Sequence, residues 1–360
     1  MSWIKILTRW FVYFSYLILV VIILIEILFQ ILPVSDSLKV QEVNKNDPIM
    51  HFEENRVVNK QIGFNFKKVI QKKINNYGFA TDVVFLSKEL KNKKTVVVIG
   101  DSYVEAINLK NKDTFHGLLD KSFKDINFYP MGTSGSPLSQ YIAYMTFSKK
   151  EFDPDVYIFV VISNDFDESW FEIKKTEGFH YFNDQGDLEL IEHEPRFLVK
   201  LLRHSAFVRY LILDLKIVHQ FRKYTKIKKK TNSNLIEKKD LNEELGIKAA
   251  RLFLEKINEY SNDKEIIILV DGDRSSIYNN QVDRNLNYVA NRWLKKITEL
   301  TKDYPNFHLI DLQKVFLNNW QKNNLKFNSD NDYHWNEFGN KVVAESLKSK
   351  LISIIESNSN

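Results

Sequence analysis

Cysteine is missing from this sequence: none of the 360 residues is a cysteine. Disulfide frameworks, zinc sites built on thiolates and thiol nucleophiles are therefore excluded. The absence assigns no compartment, because a chain without cysteine is compatible with the cytoplasm and with the space outside it.

Strong charge and grouped histidines are missing as well. The formal net charge is only +5, which falls short of the concentrated basic face of a nucleic-acid-binding protein, so we expect no nucleic-acid partner. The eight histidines are scattered and include no H-x-x-x-H pair. The chain also lacks a glycine-rich loop that cradles phosphate. The sequence therefore predicts no metal and no other cofactor.

A long apolar run is present near the N-terminus, over residues 10–32, and Pro33 closes it. The run is long enough to span a bilayer core of roughly 30 Å as a helix. Lys5 and Arg9 precede it, so the positive-inside rule predicts a cytoplasmic N-terminus, with everything after Pro33 outside the cytoplasm. A cleaved signal peptide is the alternative, but the run does not end in small residues. We expect residues 1–33 to include an uncleaved transmembrane anchor.

Five shorter apolar runs follow, and they are typical of strands buried on both faces of a sheet. They cover residues 95–99, 126–129, 156–162, 265–270 and 307–310. Helical patterns lie between these runs, and a closing helix is predicted over residues 336–355. The alternation predicts an α/β fold with a parallel sheet between two layers of helices. We expect this domain to cover residues 94–355, with residues 34–93 as a connector that leads into it.

A helical insertion is expected to interrupt the domain at about residues 166–262. Its middle, over residues 196–221, is strongly apolar, and residues 222–230 are rich in lysine and arginine. Such a basic amphipathic segment can lie on a membrane surface or bind an acidic polymer. The alternative, which we favour at this point, is a helix that packs over the core and is followed by a solvated charged loop.

Residues suited to acyl transfer follow three of the predicted strands. Ser102 ends a Gly-Asp-Ser turn after the first strand, Gly135 lies after the second and Asn164 after the third. Ligands of open α/β sheets bind at the carboxyl ends of the strands, so we expect these residues to lie together. Ser102 is the candidate nucleophile. The Gly135 N–H, the Asn164 amide and the Ser102 N–H are candidate donors to an oxyanion.

A base and an orienting acid are found just before the closing helix. His334 is the candidate base, and Asp332 lies two residues before it, where it can fix the imidazole tautomer and stabilise the imidazolium. Asp330 is a competing acid that spacing alone does not exclude. Asn336 is placed to cap the closing helix and so to stiffen this loop.

The ordered set of Ser102, Gly135, Asn164 and His334 resembles the SGNH hydrolase superfamily, also called the GDSL esterases and lipases. The resemblance covers roughly residues 95–350. It implies a flavodoxin-like three-layer α/β/α sandwich, with Ser102 as nucleophile, Gly135 and Asn164 as oxyanion donors and His334 as base.

Three departures from the family pattern stand out. Ser163 takes the place of the usual glycine before Asn164, Pro130 and Met131 stand where asparagine is common, and Asn331 stands where many members carry the acid. The shorter Asp-x-His-Trp form resembles the branch that acetylates alginate and other polysaccharides outside the cytoplasm. That resemblance favours Asp332 over Asp330.

The leading functional hypothesis is therefore ester hydrolysis or acyl transfer on the O-acetyl groups of a glycan outside the membrane. A transferase of this kind is expected to need a membrane-bound O-acyltransferase partner. A lipase or thioesterase with the apolar insertion as its lid is one alternative, and a non-catalytic anchored glycan-binding scaffold is another. Residues near the motifs are candidates for substrate contact, namely Asp101, Tyr103 and Trp335, with Phe166 and Trp170 as further aromatic candidates whose simpler role is core packing.

Overall fold

The computed structural model describes residues 2–218, 220, 221, 235–279, 289–329 and 332–357. The chain forms two compact units, and each is described by itself. The larger unit contains residues 39–56 and 72–194 and the described part of 232–360. The smaller unit contains residues 57–71 and the described parts of 1–38 and 195–231. The basic stretch 222–230 and the competing acid Asp330 lie outside the described residues.

In chain order, the described strands are β1 (Arg56–Gln61), β2 (Val69–Ile74), β3 (Lys94–Gly100), β4 (Ile126–Gly132), β5 (Val156–Val161), β6 (His180–Phe182), β7 (Leu188–Leu190), β8 (Glu265–Val270), β9 (Phe307–Asp311), β10 (Asn328–Ser329) and β11 (Asp332–Trp335). The described α-helices are α1 (Ser2–Ile31), α2 (Ser102–Glu105), α3 (Phe115–Ser122), α4 (Leu138–Phe152), α5 (Phe197–Leu202), α6 (Ala206–Arg209), α7 (Leu235–Ser261), α8 (Arg274–Tyr278), α9 (Val289–Leu300), α10 (Leu312–Asn323) and α11 (Glu337–Ser357).

The larger unit is built around a five-stranded sheet in the order β4-β3-β5-β8-β9, in which every neighbouring pair is parallel. Read along the chain, this is the flavodoxin-like order 2-1-3-4-5, which puts the ligand crevice at the carboxyl ends of the strands. β3 is apolar and buried because helices cover both faces of the sheet. The fold class predicted from the sequence is confirmed.

Two apolar cores separate the sheet from its helices. Side chains of α4, α7 and α9 fill the core on one face, among them Tyr141, Phe253 and Ile297. Side chains of α3, α10 and α11 fill the other core, among them Phe115 and Val343. Each helix buries one apolar stripe against the sheet, which gives three layers.

The predicted strands and the closing helix are confirmed, with ends shifted by at most three residues. Asn336 caps the closing helix as expected, because its Oδ1 accepts the Gly339 N–H at 2.8 Å. The segment before the sheet does more than connect, since Phe79 and Phe85 are buried in the core of the larger unit.

The insertion differs most from its prediction. It contains the β6–β7 hairpin and the long helix α7, which periodicity did not single out. The apolar stretch 196–221 is not one continuous helix. It breaks between α5 and α6, because the Ser205 hydroxyl accepts the Val208 N–H and starts a new helix there.

The smaller unit contains α1, most of β1, the first half of β2, and the segment that carries α5 and α6. α1 is about 45 Å long at 1.5 Å per residue. It is long and apolar enough to cross a membrane, a property that a signal sequence shares.

Candidate active site

Ser102 is the first residue of the short helix α2, directly after β3. The Asp101 carboxylate caps this helix by accepting the Tyr103 N–H at 2.9 Å. Gly100 is required here by close packing rather than by a left-handed turn, because a Cβ at this position would lie 2.5 Å from Val104 Cγ2. Glycine therefore lets α2 lie directly on the end of the sheet, with the Ser102 N–H free of the helix ladder.

A hydrogen-bonded chain joins Ser102, His334 and Asp332. Ser102 Oγ lies 2.8 Å from His334 Nε2, and His334 Nδ1 lies 2.5 Å from Asp332 Oδ1. Asp332 also accepts the His334 backbone N–H at 3.1 Å and the Asn108 amide at 2.6 Å. The tertiary structure thus brings together residues 232 positions apart in the sequence.

The carboxylates around His334 stabilise the protonated form of its imidazole. Burial alone would lower the pKa of His334, but the hydrogen bond and charge of Asp332, helped by Asp101 and Glu105, outweigh it and raise that pKa above its ordinary value. Burial raises the pKa of Asp101 to about 6. Ser102 Oγ lies 3.2 Å from Asp101 Oδ2, so the hydroxyl has two neighbouring acceptors.

A buried ion pair that sequence reasoning missed supports the loop of His334. Arg274, at the start of α8, contacts both carboxylate oxygens of Asp271, at 2.5 and 2.6 Å. It also donates to the Tyr103 hydroxyl at 2.8 Å and to the Tyr333 carbonyl at 2.6 Å. Asp271 accepts the Trp335 indole N–H at 3.1 Å. The pair therefore contacts the residues on both sides of His334 and the one after Ser102.

A second buried network lies beneath α2. The Lys72 ammonium donates to the Ala106 and Leu109 carbonyls, both at 3.3 Å, and so caps the carboxyl end of α2. Burial lowers the pKa of Lys72 to about 8 and raises the pKa of Glu105. Glu105 accepts the Ser134 N–H at 2.5 Å, which ties α2 to the loop after β4. The sequence offered no signal for Lys72, which lies in the segment predicted to be a connector.

The loops of Gly135 and Asn164 are joined through one ion pair from the insertion. Gly135 has φ of +82°, a conformation that glycine adopts freely. Lys174 donates to the Gly135 carbonyl at 2.9 Å and pairs with Glu168. Glu168 in turn accepts the Asn164 side-chain amide at 3.2 Å. In this conformation the Asn164 amide is directed to Glu168, and its role as an oxyanion donor stays a prediction.

The aromatic residues near the motifs are buried. Tyr103 and Trp335 line a small cavity of about 50 Å³ beside Ser102 and His334, together with aliphatic and amide side chains. Asp101 is buried beneath Ser102. Phe166 and Trp170 are buried in the core against the sheet and cannot stack on a sugar ring in this structure, so their simpler role applies.

No protein family model matches this sequence, and no curated protein matches it. Solved structures with a similar fold include the acetyl xylan esterase AlAXEase, at 17% identity and TM-score 0.42, with 71% of this chain and 98% of that chain covered. They also include a member of the lipolytic protein G-D-S-L family from Veillonella parvula, at 11% identity and TM-score 0.37, with 70% of this chain and 94% of that chain covered. A third is TesA, at 11% identity and TM-score 0.40, with 72% of this chain and 98% of that chain covered. This likeness concerns the fold alone.

Proposed function

We propose that this chain is a serine esterase or O-acyltransferase that works through an acyl-enzyme on Ser102. The observation that carries the proposal is the hydrogen-bonded chain of Ser102, His334 and Asp332 at the carboxyl end of β3. A nucleophile within reach of a base, with the base oriented by a third group, is the arrangement that acyl transfer needs.

In the first half-reaction, Ser102 Oγ attacks the ester carbonyl and its proton passes to His334 Nε2. Asp332 stabilises the imidazolium that forms. The negative charge on the former carbonyl oxygen is stabilised by the Ser102 N–H at the start of α2 and by the predicted donors Gly135 and Asn164. Collapse of this intermediate breaks the ester bond, and the alcohol leaves with the proton from His334.

In the second half-reaction, His334 removes a proton from the acceptor, which attacks the acyl-enzyme. Water as acceptor gives a free acid, and a sugar hydroxyl gives a new ester. Both outcomes regenerate Ser102 and use the same residues. The choice between hydrolase and transferase therefore depends on which acceptor reaches the acyl-enzyme.

The size of the cavity beside Ser102 supports a short acyl group. A volume of about 50 Å³ corresponds to roughly three to five water-sized spheres, at about 10–15 Å³ each. An acetyl group, with three non-hydrogen atoms, fits within this space, whereas a fatty acyl chain would extend beyond it. We therefore favour acetyl chemistry over a lipase or thioesterase.

In this proposal, the helix α1 determines the compartment in which the active site lies. We propose that α1 is a retained anchor and that the site lies outside the cytoplasm, where an acetylated glycan is the substrate. Lys5 and Arg9 before the apolar run support this orientation. If the chain is a transferase, a membrane-bound O-acyltransferase partner would supply the acyl group across the bilayer.

The test is covalent labelling of the full-length protein with a fluorophosphonate probe. We expect stoichiometric labelling at Ser102 and none in Ser102→Ala. Ser134→Ala is the matched control, because Ser134 lines the same cavity and should not change labelling. A protein that leaves Ser102 unlabelled while its fold is intact by circular dichroism would exclude both enzymatic forms and leave the scaffold hypothesis.

A second measurement addresses the acyl group and the acceptor. Hydrolysis of p-nitrophenyl acetate should exceed that of the octanoate ester by a large factor, because the longer chain would extend beyond the cavity. Adding an unacetylated glycan should raise p-nitrophenol release and yield acetylated glycan if the chain is a transferase. Equal rates on acetate and octanoate would reject the acetyl assignment.

A further inference from the structure

An exposed apolar surface in the smaller unit has no role in the proposed chemistry. It is formed by α5, where five of six side chains are apolar and about half exposed or more, namely Phe197, Leu198, Val199, Leu201 and Leu202. Phe64, in the turn between β1 and β2 of the same unit, is exposed as well. Contiguous exposed apolar surface of this kind marks a contact with a partner or a membrane.

The segment that follows α5 is docked on α1, and one carboxylate accepts most of the hydrogen bonds between them. Glu26 of α1 accepts hydrogen bonds from the Ser205 hydroxyl at 2.6 Å and from the Ala206 and Phe207 N–H groups at 2.8 and 3.2 Å. Gln30, one turn further along α1, donates to the His204 carbonyl at 3.2 Å. These contacts attach the end of α5 and the start of α6 to the carboxyl-terminal end of α1.

Aromatic packing strengthens the same contact. The Phe29 ring lies 5.3 Å from the Phe207 ring and 4.8 Å from the Tyr210 ring, measured between centroids. Tyr210 stacks on Phe66 at 5.4 Å, and its hydroxyl donates to the Phe64 carbonyl at 3.1 Å. The apolar surface of α5 and Phe64 is thus fixed beside the end of α1 by packing as well as by hydrogen bonds.

The position of Glu26 sets the depth of this contact. Glu26 lies five residues before Ile31, the last residue of α1 (31 − 26 = 5), which is about 8 Å along a helix. Amphipathic helices that lie on a membrane bury their apolar side about 5–10 Å into the headgroup–acyl boundary, a similar distance. Lys200 lies among the apolar residues of α5 and Arg203 follows them, and both have side chains long enough to reach phosphate headgroups.

We propose that residues 197–218 form a second membrane contact, immersed in the leaflet from which the end of α1 emerges and held there by Glu26. The occupant of the apolar surface is lipid, because the segment that directly follows α5 is docked on α1, whose own apolar side chains are exposed along its length. The proposal rests on the anchor and not on the acyl chemistry.

Retention of α1 follows from the same contacts. If α1 were removed as a signal peptide, the Ser205, Ala206 and Phe207 donors would lose their acceptor, and Phe207 and Tyr210 would lose Phe29. The segment is therefore built to fold with α1 present. The protein recovered from membranes should have the mass of the full chain, 42.6 kDa. A mature form that begins after Pro33 would overturn the proposal, whether or not Ser102 is reactive.

The absence of cysteine allows a direct test of immersion. A single cysteine is introduced by Leu198→Cys in the full-length protein, labelled with a nitrobenzoxadiazole probe and reconstituted in phosphatidylcholine–phosphatidylglycerol vesicles. Leu90→Cys is the matched control, because Leu90 of the larger unit is 66% exposed and Leu198 is 67% exposed. We expect the probe at 198 to be quenched by spin-labelled lipid and several-fold less by iodide than the probe at 90.

Equal iodide quenching at the two positions would show that α5 lies in water and would overturn the proposal. Phe197→Cys provides a second reporter on the same helix, for the case that one label disturbs it. Adding Glu26→Ala to Leu198→Cys should raise iodide quenching several-fold, because the carboxylate that docks the segment is gone. No change on that substitution would contradict the role of Glu26.

Discussion

The two sides of the candidate site are each held by an ion pair, and the two pairs differ in their environment. On the side of the base, Arg274 and Asp271 have side chains only 7% and 9% exposed. On the side of the predicted oxyanion donors, Lys174 and Glu168 are 23% and 31% exposed. The first pair connects core elements, and the second comes from the insertion.

This difference indicates how firmly each side is positioned. A buried ion pair held by several further hydrogen bonds allows few alternative geometries, and the loss of one partner leaves an uncompensated charge in the core. A pair in contact with water is screened and exchanges partners at little cost. We infer that the base is held rigidly, whereas the loops of Gly135 and Asn164 can adjust when an ester binds.

The largest expected effect comes from Asp332→Asn. The amide would hold His334 in the wrong tautomer, and we expect turnover to fall by about 10⁴-fold. The measurement is the steady-state rate on p-nitrophenyl acetate. Asp330→Asn is the control and should stay close to the unsubstituted protein. A large loss in Asp330→Asn with little loss in Asp332→Asn would reverse the assignment of the acid.

The next effect is on stability and tests the buried pair itself. Arg274→Met leaves Asp271 buried without its partner, which should lower the free energy of unfolding by about 3–5 kcal/mol. Urea unfolding of the full-length protein in detergent checks this. The double substitution Arg274→Met and Asp271→Leu should recover part of the loss, since it removes both charges. A change below about 1 kcal/mol in the single variant would show that the pair is not structural.

The pH dependence of kcat/KM probes the base without a substitution. His334 must be neutral to accept the Ser102 proton, so activity should be lost as the pH falls through its folded-state pKa. Because that pKa is raised, the acid limb should have its midpoint above 6.5, with about a tenfold loss per pH unit below it.

The contribution of His334 to stability has the opposite sign. A raised folded pKa stabilises the protonated protein at low pH, and this contribution is lost as the pH rises through that pKa. An acid limb at or below pH 6 would instead follow Asp101, whose pKa is about 6, and would contradict the assignment to His334.

The smallest effect is expected for Lys174→Met, which removes the more exposed pair. The free energy of unfolding should change by about 1 kcal/mol or less. If the donor loops adjust during catalysis, kcat should fall while KM changes little, because the loss would appear in the transition state. Lys175→Met is the matched control, as the neighbouring lysine contacts the Phe171 ring. Destabilisation as large as that of Arg274→Met would remove the contrast between the two sides.

The sequence alone determined the strands, the cap of the closing helix and the motif residues. β3 and β5 are continuous apolar runs, and a run of that kind has one stable place, the middle of a covered sheet. Asn336 was identifiable as the cap of the closing helix because a cap depends on residues within one helical turn. Ser102 and His334 were identifiable because each sits in a short ordered motif. All of these signals are local.

Only the tertiary structure decided which groups meet across the sequence. Lys72 supports α2, Arg274 supports the loop of His334, and Lys174 joins the loops of Gly135 and Asn164. None of these cations has a local pattern that distinguishes it from a solvated lysine or arginine. The apolar stretch 196–221 likewise suited both a core cover and a membrane contact. Its contacts with Glu26 and Phe29 of α1 support the proposed membrane contact. The sequence could not show these contacts, because they join segments that are far apart along the chain.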